Sequence, residues 1–205
     1  MSGGTSRLTV APAIQADVAA SVQSLADAFV SDPLMDFLFG AHPAGLRASM
    51  VEFFGLLMRA RIALAMPALL LKDGGRIVGV AMGYDTSRPV WPTPYDAVWS
   101  AFEAGTLGLN GRFETYEGIA ARHRPHAPHY YLGVIGVHPS LQGRGAGKVL
   151  LDAFCRLSAD DPASSGVYLE TASASSLNFY LRNGFTLCGE GDLDGRPLWC
   201  VFRST

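Results

Sequence analysis

The run Gln142-Gly143-Arg144-Gly145-Ala146-Gly147-Lys148 constrains this chain more than any other stretch. An apolar, strand-like segment, Tyr130 to Val137, precedes it, and an amphipathic helix beginning near Arg144 follows it. Strand, glycine-rich turn and helix start is a common way to hold a phosphate. Glycines let the backbone approach the ligand, and the free N–H groups of the first helical turn point at the anion. Arg144 and Lys148 stand at i and i+4, the spacing of one helix face, and add positive charge. Two familiar phosphate motifs fail here. A P-loop needs Ser or Thr after its Gly-Lys, where Val149 stands, and a glycine at the place of Gln142. A dinucleotide fingerprint needs a small residue where Lys148 or Leu150 stands, depending on its register.

The pattern Gln-x-x-Gly-x-Gly does fit, as the signature loop of acyl-CoA N-acyltransferases, and a second stretch stands in order downstream. Ser175-Ser176-Leu177-Asn178-Phe179-Tyr180-Leu181-Arg182-Asn183-Gly184-Phe185 reads as a helix ending in Gly-Phe, with a strand, Gly166 to Thr171, between the two stretches. On these residues the chain resembles the GNAT (general-control-related N-acetyltransferase) superfamily. The C-terminal half looks closer still to the puromycin N-acetyltransferase group. The matching residues are His123-Arg124-Pro125, Tyr131-Leu132-Gly133-Val134-Ile135-Gly136-Val137, Leu169-Glu170-Thr171 and Leu198-Trp199-Cys200. The resemblance is strong over 120–205 and weaker over 1–95, and little aligns over 96–118. It implies an α+β fold (an α/β sandwich) in a single domain spanning 1–205. The central mixed sheet would have about seven strands, with splayed parallel strands at its centre and helices on its flanks.

The same resemblance implies a reaction and its residues. Acetyl-CoA would be the cosubstrate and a primary amine the acceptor, attacking the thioester directly. Ile135, Gly136 and Val137 would bind the pantetheine arm as an added strand, with a bulge permitted by Gly136 and the Val137 N–H as oxyanion donor. Gln142, Gly143, Arg144, Gly145, Ala146, Gly147 and Lys148 would form the pyrophosphate loop, and Asn178 would hydrogen-bond the arm. Tyr180 matches the general acid that protonates the leaving thiolate. Glu170 is a candidate general base, with His138, Tyr131 or water as alternatives. Phe37, Phe39 and Phe54 would border the acceptor pocket. A small-molecule amine suits the aromatic and Met-rich N-terminal half better than a polycation does. A protein or peptide amine, or a non-catalytic acyl-CoA-binding module, are the other readings. A homodimer is a further possibility, because pairing of last strands between subunits is common in the superfamily.

Composition narrows the field around this reading. The chain has 205 residues, 49% hydrophobic and 17% charged, enough for a proper core and unlike a disordered chain. A net charge of −2 without a basic block gives no support for nucleic acid. Three irregularly spaced cysteines suggest buried hydrophobes in a reducing compartment rather than a disulfide framework. The start Met1-Ser2-Gly3-Gly4 lacks a signal pattern, and no apolar run is long enough to span a bilayer. A cytoplasmic protein without membrane partners is expected.

The remaining elements follow from periodicity. Strands are expected at 8–11, 68–72, 76–84, 129–137, 166–171, 185–190 and 197–202, with Asp73-Gly74-Gly75 as a hairpin turn and Gly191 to Gly195 joining the last two. Helices are expected at 14–29, 44–66, 95–107, 111–122, 145–157 and 175–183, with a turn or short helix at 33–39. Met50, Phe53, Phe54, Leu57, Met58 and Arg61 make one face of the second helix. Glu114 and Glu117 read as a solvated face. His123, His126 and His129 are spaced by three, but Pro125 and Pro128 break any helix that would align them, and no metal site is expected.

Overall fold

A computed structural model describes residues 8–40 and 45–205. The chain runs β1 (Leu8–Pro12), α1 (Val18–Ala28), α2 (Pro33–Phe39), α3 (Leu46–Ala63), β2 (Ala68–Asp73) and β3 (Arg76–Tyr84). It continues α4 (Thr93–Gly105), α5 (Leu109–His123), β4 (Tyr130–Val137), α6 (Ala146–Asp160), β5 (Gly166–Thr171), α7 (Ala174–Arg182), β6 (Thr186–Leu193) and β7 (Arg196–Ser204). The expected helix start at Ala44 lies outside the described residues, as do Met1 to Gly4.

Seven strands form one sheet in the order β1-β2-β3-β4-β5-β7-β6, as the mixed α+β arrangement requires. Only β4 and β5 are parallel, and α6 makes the crossover between them. Each face of the sheet has its own core. Helices α1, α2, α3 and α5 cover one face, where Leu25, Phe39, Met50, Phe54, Leu70, Val80 and Tyr168 are buried. Helix α6 covers the other, through Leu150, Leu151 and Phe154 against Leu71, Leu132, Val167 and Val201. Two apolar faces explain why β4 and β5 read as nearly continuous apolar runs.

Local chemistry sets most element ends. Asp32 does more than end α1: its carboxylate caps α2, accepting from the Leu34 and Met35 N–H groups at 3.0 and 3.1 Å, with Pro33 in the first turn. Ser173 caps α7, and Gly184 beyond its end takes φ +85°, which lets the Phe185 N–H reach the Tyr180 C=O at 3.1 Å. The β6–β7 hairpin is tighter than expected. Its turn is Asp194-Gly195 alone, both at positive φ, so β6 runs on to Leu193.

Strand β7 lies between β5 and β6 and is hydrogen-bonded on both sides. The edges of the described sheet are β1 and β6, so strand pairing between subunits would use one of those two.

Candidate active site

The two parallel strands pair at only Tyr130–Val167 and Tyr131–Tyr168, and then part. The splay continues into a cavity of about 560 Å³ whose lips are Leu132 to Ile135 on β4 and Glu170 to Ala172 at the end of β5.

A bulge in β4 sets the splay. Met82 faces Val134, whereas Tyr84 faces Tyr131, so β4 holds an extra residue at Leu132–Gly133. Leu132 and Ile135, three apart, consequently both point to the α6 face. Opposite the bulge stands Gly83, where a Cβ would run into the Tyr131 C=O. The bulge expected at Gly136 is therefore elsewhere: Gly136 pairs regularly with Val80. Its missing Cβ admits α1, because a methyl there would meet Phe29 at 2.7 Å, Leu25 at 3.0 Å and Ala28 at 3.1 Å.

The ladder also decides which polar groups face the opening. The His138 N–H donates to the Val78 C=O at 2.8 Å. By antiparallel alternation, the N–H and C=O groups of Val134 and Gly136 turn to β3, and those of Ile135 and Val137 turn into the splay. Gln142 Nε2 occupies one of these, the Val137 C=O, at 3.1 Å. That bond ties the end of β4 to the glycine loop.

In the loop, Gly143 and Gly145 take φ of +72° and +80°, a conformation that explains glycine at both. Gly145 is the N-cap of α6 and offers no side chain to its first turn. Among the described residues, the N–H groups of Gly143, Gly145, Ala146, Gly147 and Lys148 meet no acceptor. Unpaired N–H groups at a helix N-terminus are the arrangement that suits an anion. The charged neighbours are arranged differently from expectation. Arg144 precedes the helix and does not share a helical face with Lys148, and Lys148 is paired with Asp152 one turn on.

At the far end of the splay Glu170 is buried among hydroxyls. The Tyr116 hydroxyl donates to its carboxylate at 3.0 Å and lies 3.0 Å from the Tyr131 hydroxyl. Burial raises the Glu170 carboxyl above the usual carboxylate range, and the hydroxyls of Tyr116 and Tyr131 oppose the shift. Its second oxygen has no partner among the described residues. Tyr180 lines the same cavity. Burial raises its phenol too, so the proton stays on oxygen at neutral pH.

Asn178 does not join Tyr180. Two residues along an α-helix turn through about 200°, so Asn178 is exposed on the opposite side of α7. Ser176, one turn before Tyr180, shares its face and lines the cavity. Of the three phenylalanines expected at the acceptor pocket, Phe54 lines the cavity, while Phe37 and Phe39 are buried in the core away from it.

Much of the wall comes from the stretch that aligned least. Trp99 and Glu103 of α4 and Phe113, Tyr116 and Glu117 of α5 all line the cavity, with Tyr84 and Trp91. Glu117 thus stands at the cavity as well as in solvent, within 3.4 Å of Arg124. The helical spacing Phe113, Tyr116, Ile119, Ala120 was the signal for this inward face.

The three histidines disperse: His123 contacts the Glu190 C=O, His129 the Ala127 C=O, and His126 is exposed. Among the described residues no three His, Cys, Asp or Glu side chains gather as a metal set. Cys155 and Cys200 are buried as expected, whereas Cys188 is exposed. No helix among the described residues is long and apolar enough to cross a membrane.

Residues 34–185 match the family model described as acetyltransferase (GNAT) family. The chain belongs to that family. It is an acyltransferase, and the family's acyl donor is acetyl-CoA. A crystal structure from Corynebacterium glutamicum, described as a histone acetyltransferase and related acetyltransferase, is 27% identical over 96% of both chains, with a TM-score of 0.71. Two more distant structures share the fold. A polyamine N-acetyltransferase of Drosophila melanogaster is 20% identical over 96% of this chain and 98% of its own, with a TM-score of 0.64. An arylalkylamine N-acetyltransferase of Aedes aegypti is 12% identical over 97% and 99%, with a TM-score of 0.67.

Proposed function

We propose that this GNAT acetyltransferase, working as one domain over 1–205, moves the acetyl group of acetyl-CoA to the primary amine of a small, partly apolar molecule. The observation that carries this reading is the continuity of one path. It runs from the free N–H cradle of Gly143 to Lys148, along the turned-in groups of Ile135 and Val137, to an aromatic-walled cavity that holds both Glu170 and Tyr180.

In this reading the loop N–H groups bind the pyrophosphate, and Ile135 and Val137 hold the pantetheine arm by strand-like hydrogen bonds. Gly136 serves the site by bringing α1 close rather than by bonding the arm. The Val137 N–H donates to the oxyanion that develops on the acetyl carbonyl. The amine nitrogen forms a C–N bond to that carbon, and the C–S bond breaks. Glu170 takes the proton that the amine loses, and Tyr180 gives one to the departing sulfur. Burial suits both partners: it makes Glu170 a better base and keeps Tyr180 protonated.

An aromatic-walled cavity of this size suits a small acceptor, and the reading is supported by the polyamine and arylalkylamine N-acetyltransferases of like fold. The resemblance to the puromycin group, carried by His123-Arg124-Pro125 and by residues of β4, β5 and β7, puts puromycin and related amino-nucleosides at the head of the amine screen. The first measurement is calorimetry with acetyl-CoA and ATP in parallel, followed by thiol release with an amine panel. Saturable acetyl-CoA binding with amine-dependent thiol release supports the proposal. Binding of ATP without acetyl-CoA overturns it.

A further inference from the structure

Arg61 is the one basic side chain lining this cavity, and among the described residues no carboxylate pairs with it. It stands in the last turn of α3, is 5% exposed, and lines the cavity wall. Its Nε and Nη1 are buried without a hydrogen-bond partner, and no carboxylate lies within salt-bridge distance among the described residues. Its guanidinium carbon sits 4.1 Å over the Tyr84 ring and 5.5 Å from that of Trp91. An arginine cannot shed its proton to escape the cost of burial, as a lysine or a carboxylate does. Stacking on two rings and the nearby helix C-terminus offset part of that cost, but leave N–H donors unmet. A buried charge kept this way needs a counter-ion.

The surroundings say where such an ion would lie. The Tyr84 ring that carries Arg61 is also stacked near Tyr131, 6.5 Å between centroids and 16° between planes. The Tyr131 hydroxyl leads through Tyr116 to Glu170. The cavity thus has a cationic pole at Arg61 and a carboxylate pole at Glu170, joined by an aromatic wall, with Asp32, Asp96, Glu103 and Glu117 also on its lining.

We propose that Arg61 binds a carboxylate on the acceptor, so that the substrate is an aromatic amine that also bears an acid group. The proposal rests on reading this cavity as the acceptor site. Guanidinium geometry suits a carboxylate held by two N–H groups, and the stacked ring fixes the plane of the fork.

Matched acceptors test this by thiol release: L-phenylalanine and 4-(2-aminoethyl)benzoate, each against phenethylamine. The two acids place the carboxylate beside the amine or across the ring, so the better one reports the distance between the poles. At least a tenfold higher kcat/KM for one acid than for phenethylamine is expected. In Arg61→Met that advantage falls below threefold, Arg61→Lys restores it in part, and the Kd for acetyl-CoA changes less than twofold. A second measurement needs no variant: 3-phenylpropionate, which has no amine, is expected to inhibit the wild-type enzyme in competition with the acceptor. Equal or better turnover of phenethylamine, or absence of inhibition, overturns the carboxylate assignment while leaving the acetyltransferase reading intact. Acetyl-CoA binding with no turnover of either acid also overturns it. Failure of acetyl-CoA to bind the wild-type protein instead removes the reading on which the assignment rests.

Discussion

The Tyr116 hydroxyl donates to the Glu170 carboxylate at 3.0 Å across a sequence separation of 54 residues. That bond joins α5 to the end of β5 and makes Glu170 an acceptor held by hydroxyls rather than by a cation. It partly offsets the effect of burial on the carboxyl.

Tyr116→Phe removes this bond, and the Glu170 carboxyl rises further. The acidic limb of the kcat/KM profile is expected to move to higher pH, with the plateau reduced much less than by removing Glu170 itself. An unmoved limb would separate Tyr116 from the function of Glu170.

Glu170→Gln keeps the Tyr116 hydrogen bond and removes the base. Activity is expected to fall by about 10² to 10⁴, the usual range for general base catalysis, and the acidic limb to disappear. Stability changes in the opposite sense. Because the folded carboxyl is raised, its contribution is fully present below the unfolded value of 4.5 and is lost as pH rises through the folded value. Glu170→Gln should therefore stabilise the protein relative to wild type at pH 7 more than at pH 4, which melting curves at both values would read.

Tyr180→Phe is expected to lower kcat about 10²-fold with unchanged acetyl-CoA affinity, because the lost hydroxyl serves proton transfer rather than binding. Unchanged turnover would remove Tyr180 from the mechanism. Loss of turnover with retained binding sets catalysis apart from a mere acyl-CoA-binding role.

Gly145→Ala places a Cβ at φ +80° in the cap of α6. A non-glycine residue there carries about 1–2 kcal/mol of strain. Space is not the difficulty, since nothing lies within 4 Å of the added methyl. The strain falls on the loop, so calorimetry should show weaker acetyl-CoA binding, with a drop in melting temperature no larger than the strain implies. Gly83→Ala differs in kind. Its methyl would strike the Tyr131 C=O at the β4 bulge, and severe destabilisation is expected even without ligand.

The sequence carried most of the elements and less of their geometry. Asp73-Gly74-Gly75 between apolar runs was enough for the β2–β3 hairpin, and Gly184 after Tyr180 was enough for the end of α7. The bulge was misplaced because glycine alone does not say why it is needed: Gly136 admits α1, whereas the bulge at Leu132–Gly133 is accommodated by Gly83 on the neighbouring strand. Asn178 was assigned to the cofactor arm by its place in a motif; the fold adds that it is exposed, on the side of α7 away from Tyr180. Phe37 and Phe39 show the limit of the resemblance, which points to a segment without saying which of its aromatics face core or cavity. Arg61 read as part of an apolar helix face, and only the fold reveals that its Nε and Nη1 are buried without an acceptor among the described residues.

Among the described residues, Tyr130–Val167 and Tyr131–Tyr168 are the only ladder pairs joining β1–β4 to β5–β7. The sheet is thus two smaller sheets sharing a short seam, with α6 spanning them. Unliganded protein should come apart in two steps under denaturant, and amides on the two sides of the seam should show different opening free energies in hydrogen exchange. A molecule bonded along β4 within the splay would favour the joined form by mass action, merging the steps into one cooperative transition at saturating ligand.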